Sequence, residues 1–274
     1  MSPVAPGSPT TRARAALAAA VSLAFVACAP PAKDDPDAAP DGPHPVAVTP
    51  EDGAEGVRID AVVRVRMSDH LDGRSVRSGR LRLASGPISM WLLTYYDPVR
   101  EELVAWPAGK LRKHALWTFE IEEGVTGLEG DEVPPGTVST FQTGEEAGDD
   151  DPFPVVDYET AVAPVFSGRC ASCHGGPLEP LAGLDLSSPE GVSATLLGAD
   201  ADGWPGWKRA VPGRPGQSYL LYKLLGDPRI AGARMPRSLE GDGDAAPLGG
   251  DERRAVADWL ASGAGLFDST ESDE

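Results

Sequence analysis

The sequence predicts a multidomain protein in which an all-β sandwich is followed by an all-α domain. Two periodicities support this prediction. Between residues 46 and 144 apolar and charged residues alternate, as in the run Val63-Arg64-Val65-Arg66-Met67. Residues 155–267 instead place apolar side chains at helical spacing. Residues 145–154 lie between these regions and are acidic with two prolines, which is typical of a solvated linker.

Several short apolar runs in residues 46–144 are separated by Gly, Pro or Asp turns, and this spacing is typical of a sandwich. The candidate strands are Val57–Asp60, Val63–Met67, Leu81–Leu83, Trp91–Tyr96, Leu103–Trp106, Leu116–Ile121 and Val138–Phe141. We expect the aromatic residues Trp91, Trp106, Trp117 and Phe119 to pack in the core and strands rather than to form a sugar-binding platform. We expect His70 and His114 not to bind a metal, because each is isolated in the sequence from other ligand-type residues.

The ends of this region carry a family resemblance. Pro50-Glu51-Asp52-Gly53-Ala54-Glu55-Gly56-Val57 opens it, and Thr140-Phe141-Gln142-Thr143-Gly144 closes it. This order of signals resembles the bacterial Ig-like domains of surface-layer and extracellular proteins. The resemblance implies a structural spacer or adhesion module at residues 46–144, without chemistry of its own.

The N-terminus predicts export. Arg12 and Arg14 precede the apolar run Ala15–Ala27, so residues 1–27 have the pattern of a signal peptide. Phe25-Val26-Ala27-Cys28 resembles a bacterial lipobox, in which the cysteine becomes the lipidated first residue of the mature protein. Cleavage by an ordinary signal peptidase, with release of a soluble protein, is the alternative.

The segments at the two ends of the mature chain are predicted to be disordered. Residues 28–45 are rich in Pro, Ala and Asp and form the predicted tether, and residues 268–274 form the predicted tail. We therefore expect an exported lipoprotein, anchored to a membrane through Cys28 and facing the periplasm or cell surface, with the outer membrane favoured. The net charge of −18 argues against a nucleic-acid partner.

The run Cys170-Ala171-Ser172-Cys173-His174 predicts attachment of a c-type haem. The two thiols form thioether bonds to the haem vinyl groups, and the adjacent imidazole ligates the iron. A thioredoxin-like redox pair needs a βαβ setting, whereas the flanking pattern here is helical. A zinc site needs a fourth ligand, and no further Cys or His follows. We predict one covalently attached haem c.

Six segments in residues 155–267 resemble the class I cytochrome c family, in family order. They are Tyr158–Phe166, Cys170–His174, Gly183–Ser187, Pro212–Ser218, Arg234-Met235-Pro236 and Ala257–Ala264. The resemblance implies a cytochrome c domain with His174 and Met235 as the axial ligands of the iron. The alternative for Met235 is that its side chain fills a gap in the core.

A group of cations surrounds the Met235 segment. Arg209 and Arg214, together with the indole of Trp207, are candidate contacts for the haem propionates. With these two arginines, Lys208, Arg229, Arg234 and Arg237 form a candidate basic rim. Such a rim would dock an acidic redox partner protein.

With both axial positions filled, the iron has no open site for substrate. The sequence therefore predicts an electron carrier with one His/Met-ligated haem and not an enzyme. Two alternatives stay open: a haem-containing subunit of a peroxidase or dehydrogenase system, and a surface-binding protein with an accessory haem.

Overall fold

Two four-stranded antiparallel sheets form the first part of the computed structural model, which describes residues 42–148, 155–176, 179–237 and 246–266. The strands are β1 Pro45–Thr49, β2 Val63–Met67, β3 Leu81–Ser85, β4 Ile88–Met90, β5 Leu92–Asp97, β6 Glu102–Pro107, β7 Leu116–Ile121 and β8 Gly136–Gln142. One sheet has the order β1-β2-β6-β5, and the other has the order β4-β3-β7-β8.

The two sheets bury one shared core between them. In β2 the apolar residues Val63, Val65 and Met67 are buried, and the arginines between them are not, as the alternating pattern predicts. The side chains of Trp117 and Phe119 are fully buried in this core. The prediction that Trp91 packs in the core is wrong, because this side chain is 67% exposed beside the edge strand β5.

Four short α-helices lie in the second part of the chain: α1 Ala163–Arg169, α2 Pro189–Thr195, α3 Tyr219–Leu225 and α4 Gly250–Ala261. A π-helical turn at Tyr158–Val162 leads into α1. The carboxylate of Asp157 accepts a hydrogen bond from the backbone N–H of Thr160 and caps this turn. The Ser188 hydroxyl accepts in the same way from the N–H of Gly191 and begins α2.

The predicted all-α domain is wrong, and with it the fold class of an Ig-like sandwich followed by an all-α cytochrome c domain. Three of the four helices span only 7 residues and the longest spans 12, and most described residues between them have no regular structure. Proline and glycine interrupt the helical periodicity, as in Pro212-Gly213-Arg214-Pro215-Gly216. The described chain is mainly β.

Direct contacts join the two parts, and the described residues from 42 onward belong to one compact unit. The buried Tyr222 hydroxyl, on α3, donates to the backbone oxygen of Leu71 at 3.3 Å. Gln217 donates from Nε2 to the backbone oxygen of Gly73 at 3.2 Å. The backbones of Gly73 and Gly216 lie so close that a β-carbon on Gly73 would stand 2.4 Å from the Gly216 carbonyl.

Several predicted segments lie outside the described residues. They are the signal peptide at residues 1–27, Cys28, most of the tether, residues 149–154 of the linker and the tail at residues 268–274. The predicted domain boundaries stay a prediction. Within the part of the chain that the structure describes, no helix has the length and apolar character needed to cross a bilayer.

Candidate functional site

A largely apolar cavity lies among the short helices of the second part. Its volume is about 190 Å³. Its lining comes from the turn after α1, the loops before and after α2, α3 and the segment after α3. The leucines that line it are Leu184, Leu186, Leu196, Leu220 and Leu224. An apolar lining of this kind suits a ligand with a large apolar face.

The Cys170–His174 run forms a helical turn directly after α1. The backbone N–H of Cys173 donates to the oxygen of Cys170 at 3.1 Å, and the N–H of His174 donates to the same oxygen at 2.9 Å. Residues four positions apart share one side of such a turn, and both Cys170 and His174 line the cavity. Cys173 is half-buried beside them, and neither cysteine forms a disulfide.

Burial sets the chemistry of the Cys170 thiol. It raises the pKa of Cys170 to about 11, so the thiol is protonated at neutral pH. Its sulfur lies 3.9 Å from the backbone oxygen of Val165, a weak contact. A neutral buried thiol is a poor nucleophile and a poor metal ligand, which disfavours thiolate chemistry at Cys170.

The His174 imidazole is oriented by one backbone group. Its Nδ1 atom lies 3.0 Å from the backbone oxygen of Leu181, which can only accept, so Nδ1 holds the proton. Burial lowers the pKa of His174, although this hydrogen bond opposes the effect, and the ring is neutral at neutral pH. The Nε2 atom consequently has a free lone pair, as in metal-bound histidines whose other nitrogen is fixed by a carbonyl.

Met235 lines the same cavity and packs against the second hydrophobic core. Its backbone N–H donates to the oxygen of Lys223 on α3, at 2.9 Å. The structure therefore brings together Cys170, His174 and Met235, three of the residues that the sequence predicts to hold a haem.

The candidate propionate contacts have other partners. Arg209 lines the cavity, but its guanidinium donates to the backbone oxygens of Ala182, Gly183 and Thr195 at 2.7, 3.0 and 2.9 Å. Arg214 donates to the backbone oxygen of Thr94 at 3.0 Å, in the first part of the chain.

Trp207, the third candidate, is buried in a separate aromatic cluster. It stacks on Trp204 with 4.2 Å between ring centroids, and the Arg74 guanidinium lies 4.7 Å from its ring. Neither Trp207 nor Arg214 lines the cavity. The structure thus separates both residues from the predicted site.

The candidate basic rim contains cations that are already paired. Lys208 contacts the carboxylate of Asp200 at 2.7 Å. Arg229 donates to both carboxylate oxygens of Asp227 at 2.8 Å and lies 3.3 Å from Asp69. Pairing at these positions weakens the local field on which docking by charge depends.

Lys223 is a residue of the cavity wall that the sequence did not reveal. Its Nζ atom donates to the backbone oxygens of Ala231 and Ala233 at 2.8 and 2.7 Å. The sequence also did not reveal Leu181, whose backbone oxygen orients His174. In both cases the acceptor is a backbone oxygen, which any residue type provides, so no sequence signal could have indicated either contact.

The described residues contain no group of three or more His, Cys, Asp or Glu side chains that could hold a metal ion. The prediction that the chain is a metal-binding cytochrome c, with a metal site formed by such side chains, is therefore wrong.

No family model matches the chain, and no curated protein matches it either. The resemblances to the class I cytochrome c and bacterial Ig-like families are accordingly not upheld, and both assignments are wrong.

The solved structures that match are remote. One is the N-terminal part of the bacterial S-layer protein SbsC, which is 10% identical in sequence and has a TM-score of 0.31. The match covers 38% of this chain and 24% of that chain. Another is PcoC, a methionine-rich copper resistance protein from Escherichia coli, which is 12% identical in sequence and has a TM-score of 0.30. The match covers 37% of this chain and 98% of that chain. L,D-transpeptidase 1 from Mycobacterium tuberculosis matches with 19% sequence identity and a TM-score of 0.26. The match covers 37% of this chain and 39% of that chain.

The chain spans about a quarter or less of the length of the S-layer structures that it matches. At these TM-scores the similarities define neither a family nor an activity for this chain.

Proposed function

We propose that the cavity holds one haem, attached covalently through Cys170 and Cys173, and that the protein transfers single electrons. The observation that supports this best is the neutral His174 imidazole, whose Nδ1 atom is fixed by Leu181 and which lines the same apolar cavity as Cys170 and Met235. This arrangement presents one nitrogen and one thioether sulfur as donors, with a thiol next to them.

The chemistry of the cavity residues fits this group. A haem brings four nitrogen ligands of its own, so it needs only one or two donors from the protein and no cluster of carboxylates. The leucine lining suits the porphyrin faces, and two cysteines two residues apart followed by a histidine are the sequence pattern for attachment to two vinyl groups. When bound, the group supplies an iron that changes oxidation state by one electron.

Each residue then has a defined task. Cys170 and Cys173 would attach the group to the turn after α1, and His174 would donate from Nε2. Met235 would supply a second donor, and its neutral sulfur would favour the ferrous state. The leucines would exclude water from the group. With two donors from the chain, such a group would favour electron transfer over chemistry on a bound substrate.

Delivery and anchoring belong to the same proposal. Covalent haem attachment by such a motif is a process of exported proteins, and residues 1–27 have the pattern of a signal peptide. Lipidation at Cys28 would anchor the protein to a membrane facing the periplasm or cell surface, near a redox partner protein.

The proposal is tested by producing the full chain in a bacterium that attaches haem to exported proteins. We expect haem that stays bound after denaturation, one per chain, and its loss when both Cys170→Ala and Cys173→Ala are introduced. Cys28→Ala is the control: it should abolish lipidation and leave haem attachment unchanged. A wild-type chain that acquires no covalent haem in this host would overturn the proposal.

Axial ligation is read from the ferric spectrum of the same material. A far-red sulfur-to-iron charge-transfer band is expected in the wild type and should disappear in Met235→Ala. Met90→Ala, in β4, is the control and should retain the band. A high-spin wild-type spectrum that changes on adding a small ligand would instead favour a catalytic haem subunit.

A further inference from the structure

Two cations in the cavity wall bind backbone carbonyls of the two segments that present His174 and Met235. We propose that Arg209 and Lys223 are positioning residues: Arg209 holds the segment that orients His174, and Lys223 holds the segment that contains Met235. This inference deepens the proposed function of the cavity and rests on it for the role of Met235. The hydrogen bonds themselves do not depend on any bound group.

Arg209 contacts a backbone turn in which two successive residues are left-handed. Ala182 and Gly183 both have left-handed backbone conformations, with φ of 58° and 57°. This conformation is unfavourable for a residue with a β-carbon such as Ala182. The Arg209 guanidinium donates to the oxygens of both residues and also to that of Thr195 on α2. Hydrogen bonds from a charged group are stronger than those between neutral groups, so these contacts stabilise the turn in this conformation.

The turn held by Arg209 is directly connected to His174. Leu181, whose oxygen lies 3.0 Å from Nδ1 of His174, is the residue immediately before Ala182. Its own N–H donates to the oxygen of Cys173 at 3.0 Å. A shift of residues 182–183 would therefore move the only acceptor that the described residues offer to Nδ1, and the ring could rotate.

A salt bridge does not explain the position of Arg209. Its nearest described carboxylate is that of Asp202, at 3.6 Å, and the Asp202 side chain is 87% exposed. An ion pair with so exposed a partner contributes little to stability. The three carbonyl contacts are shorter, at 2.7 to 3.0 Å, and the Arg209 side chain that makes them is only 16% exposed, so they account for the orientation of the guanidinium.

Lys223 acts on the other side of the cavity through two kinds of contact. Its ammonium group donates to the oxygens of Ala231 and Ala233, and its backbone oxygen accepts from the N–H of Met235. Three hydrogen bonds thus tie residues 231–235 to one residue of α3. Because that segment has no helix or strand, these bonds replace the regular structure that would otherwise fix Met235.

The role of Arg209 can be measured without any bound group. In the full chain made in the cytoplasm, where no haem is attached, nitrogen-15 NMR reports which ring nitrogen of His174 holds the proton. Wild type should have it on Nδ1, and Arg209→Gln should shift it to Nε2 in most molecules. Arg209→Lys keeps the charge but loses the fork that reaches several carbonyls, and it should also shift the proton. The matched control Lys208→Gln should resemble the wild type.

The role of Lys223 is read in the haem-loaded chain. Lys223→Met keeps the length of the side chain but removes the donor, and it should lose the far-red band. Lys223→Arg retains the charge and the donors and should restore the band. Folding of each variant is checked by circular dichroism, and a variant that does not fold is replaced by Lys223→Gln.

The outcomes separate this inference from the proposed function. A chain that never acquires haem overturns the proposed function, and the proton position in Arg209→Gln still decides the role of Arg209. Haem-loaded Lys223→Met with an unchanged band overturns the role of Lys223 and leaves the proposed function intact. A proton that stays on Nδ1 in folded Arg209→Gln overturns the role of Arg209.

Discussion

Arg100 donates two hydrogen bonds to the carboxylate of Asp258, at 2.8 and 2.9 Å, and a third to Asp97 at 2.6 Å. Asp97 ends β5, and Asp258 lies in α4, so one guanidinium links the strands to the last helix. The Asp97 carboxylate is almost fully buried and also accepts from the N–H of Val99. This fork–fork geometry is the strong form of an arginine–carboxylate pair.

Arg100→Met should lower the free energy of unfolding by about 3 kcal/mol, because it leaves the buried Asp97 carboxylate without its cation. Asp258→Asn should cost only about 1 kcal/mol, since its carboxylate is partly exposed. Urea unfolding of both single variants and the double variant gives the coupling energy. The control Arg82→Met, which breaks an exposed pair with Glu120, should change stability by less than about 1 kcal/mol. Equal effects of Arg100→Met and Arg82→Met would contradict this prediction.

His70 should make stability depend on pH. It lies between the rings of Tyr96 and Tyr222, with Nδ1 3.0 Å from the Tyr96 hydroxyl and Nε2 3.8 Å from the Asp227 carboxylate. Burial lowers the pKa of His70, and Asp227 opposes this. The other charged groups near it are Glu101, Arg229 and Asp69.

A histidine with a lowered folded pKa binds fewer protons in the folded than in the unfolded state. Its stabilising contribution is thus complete above the unfolded pKa of about 6.5 and decreases as the pH falls below that value. Urea unfolding between pH 5 and 7 should give a free energy that rises with pH, and His70→Gln should flatten this slope. Tyr96→Phe keeps His70 and should retain the slope at a lower stability. A slope unchanged by His70→Gln would exclude this histidine as its origin.

Gly73→Ala should be strongly destabilising. The added methyl group would stand 2.4 Å from the carbonyl of Gly216, and neither backbone can rotate away as a side chain would. We expect a loss of about 1–3 kcal/mol, the range for overpacking. Gly79→Ala is the matched control, because nothing lies within 4 Å of its β-carbon position. Thermal unfolding in which the two variants behave alike would show that this close approach is not maintained in solution.

Tyr222→Phe should lower stability by about 1 kcal/mol. The change removes a buried hydroxyl that lies 3.3 Å from the oxygen of Leu71 and 3.1 Å from that of Gly216. Tyr219→Phe, whose hydroxyl makes a longer contact of 3.4 Å with Ala231, should have a smaller effect. Chemical denaturation of the two variants, compared with wild type, measures the difference, and a larger loss in Tyr219→Phe would refute the assignment.

The strands were predictable because alternation directly encodes which side chains are buried. Val63, Val65 and Met67 lie in the core as their spacing predicts. Trp91 was mispredicted because periodicity does not tell which strand lies at a sheet edge. The all-α domain was mispredicted because apolar residues at helical spacing, as in Tyr219–Leu225, indicate single turns of helix but not how much loop separates them.

The same limit applies to the cavity. Cys170, His174 and Met235 could be selected from the sequence by residue type and spacing, and all three line the same cavity. The partners of Arg209, Arg214 and Lys223 are backbone oxygens, and any residue type can provide one. Their contacts depend on the folded path of the chain and could not be predicted from the composition of the segments.

The contacts of Tyr222, Gln217 and Arg214 have a consequence for modularity. The acceptors of these three side chains, the oxygens of Leu71, Gly73 and Thr94, all belong to the strand-bearing part. A transplant of residues 155–266 onto an unrelated carrier would remove the acceptors of Gln217 and Arg214 and leave the Tyr222 hydroxyl only its contact with Gly216. Tyr222 lies on α3, which also contains Lys223. The cavity-bearing segment is therefore not an independent module. Recombination that separates it from the strand-bearing part would remove hydrogen bonds that help to hold α3 and the loop before it.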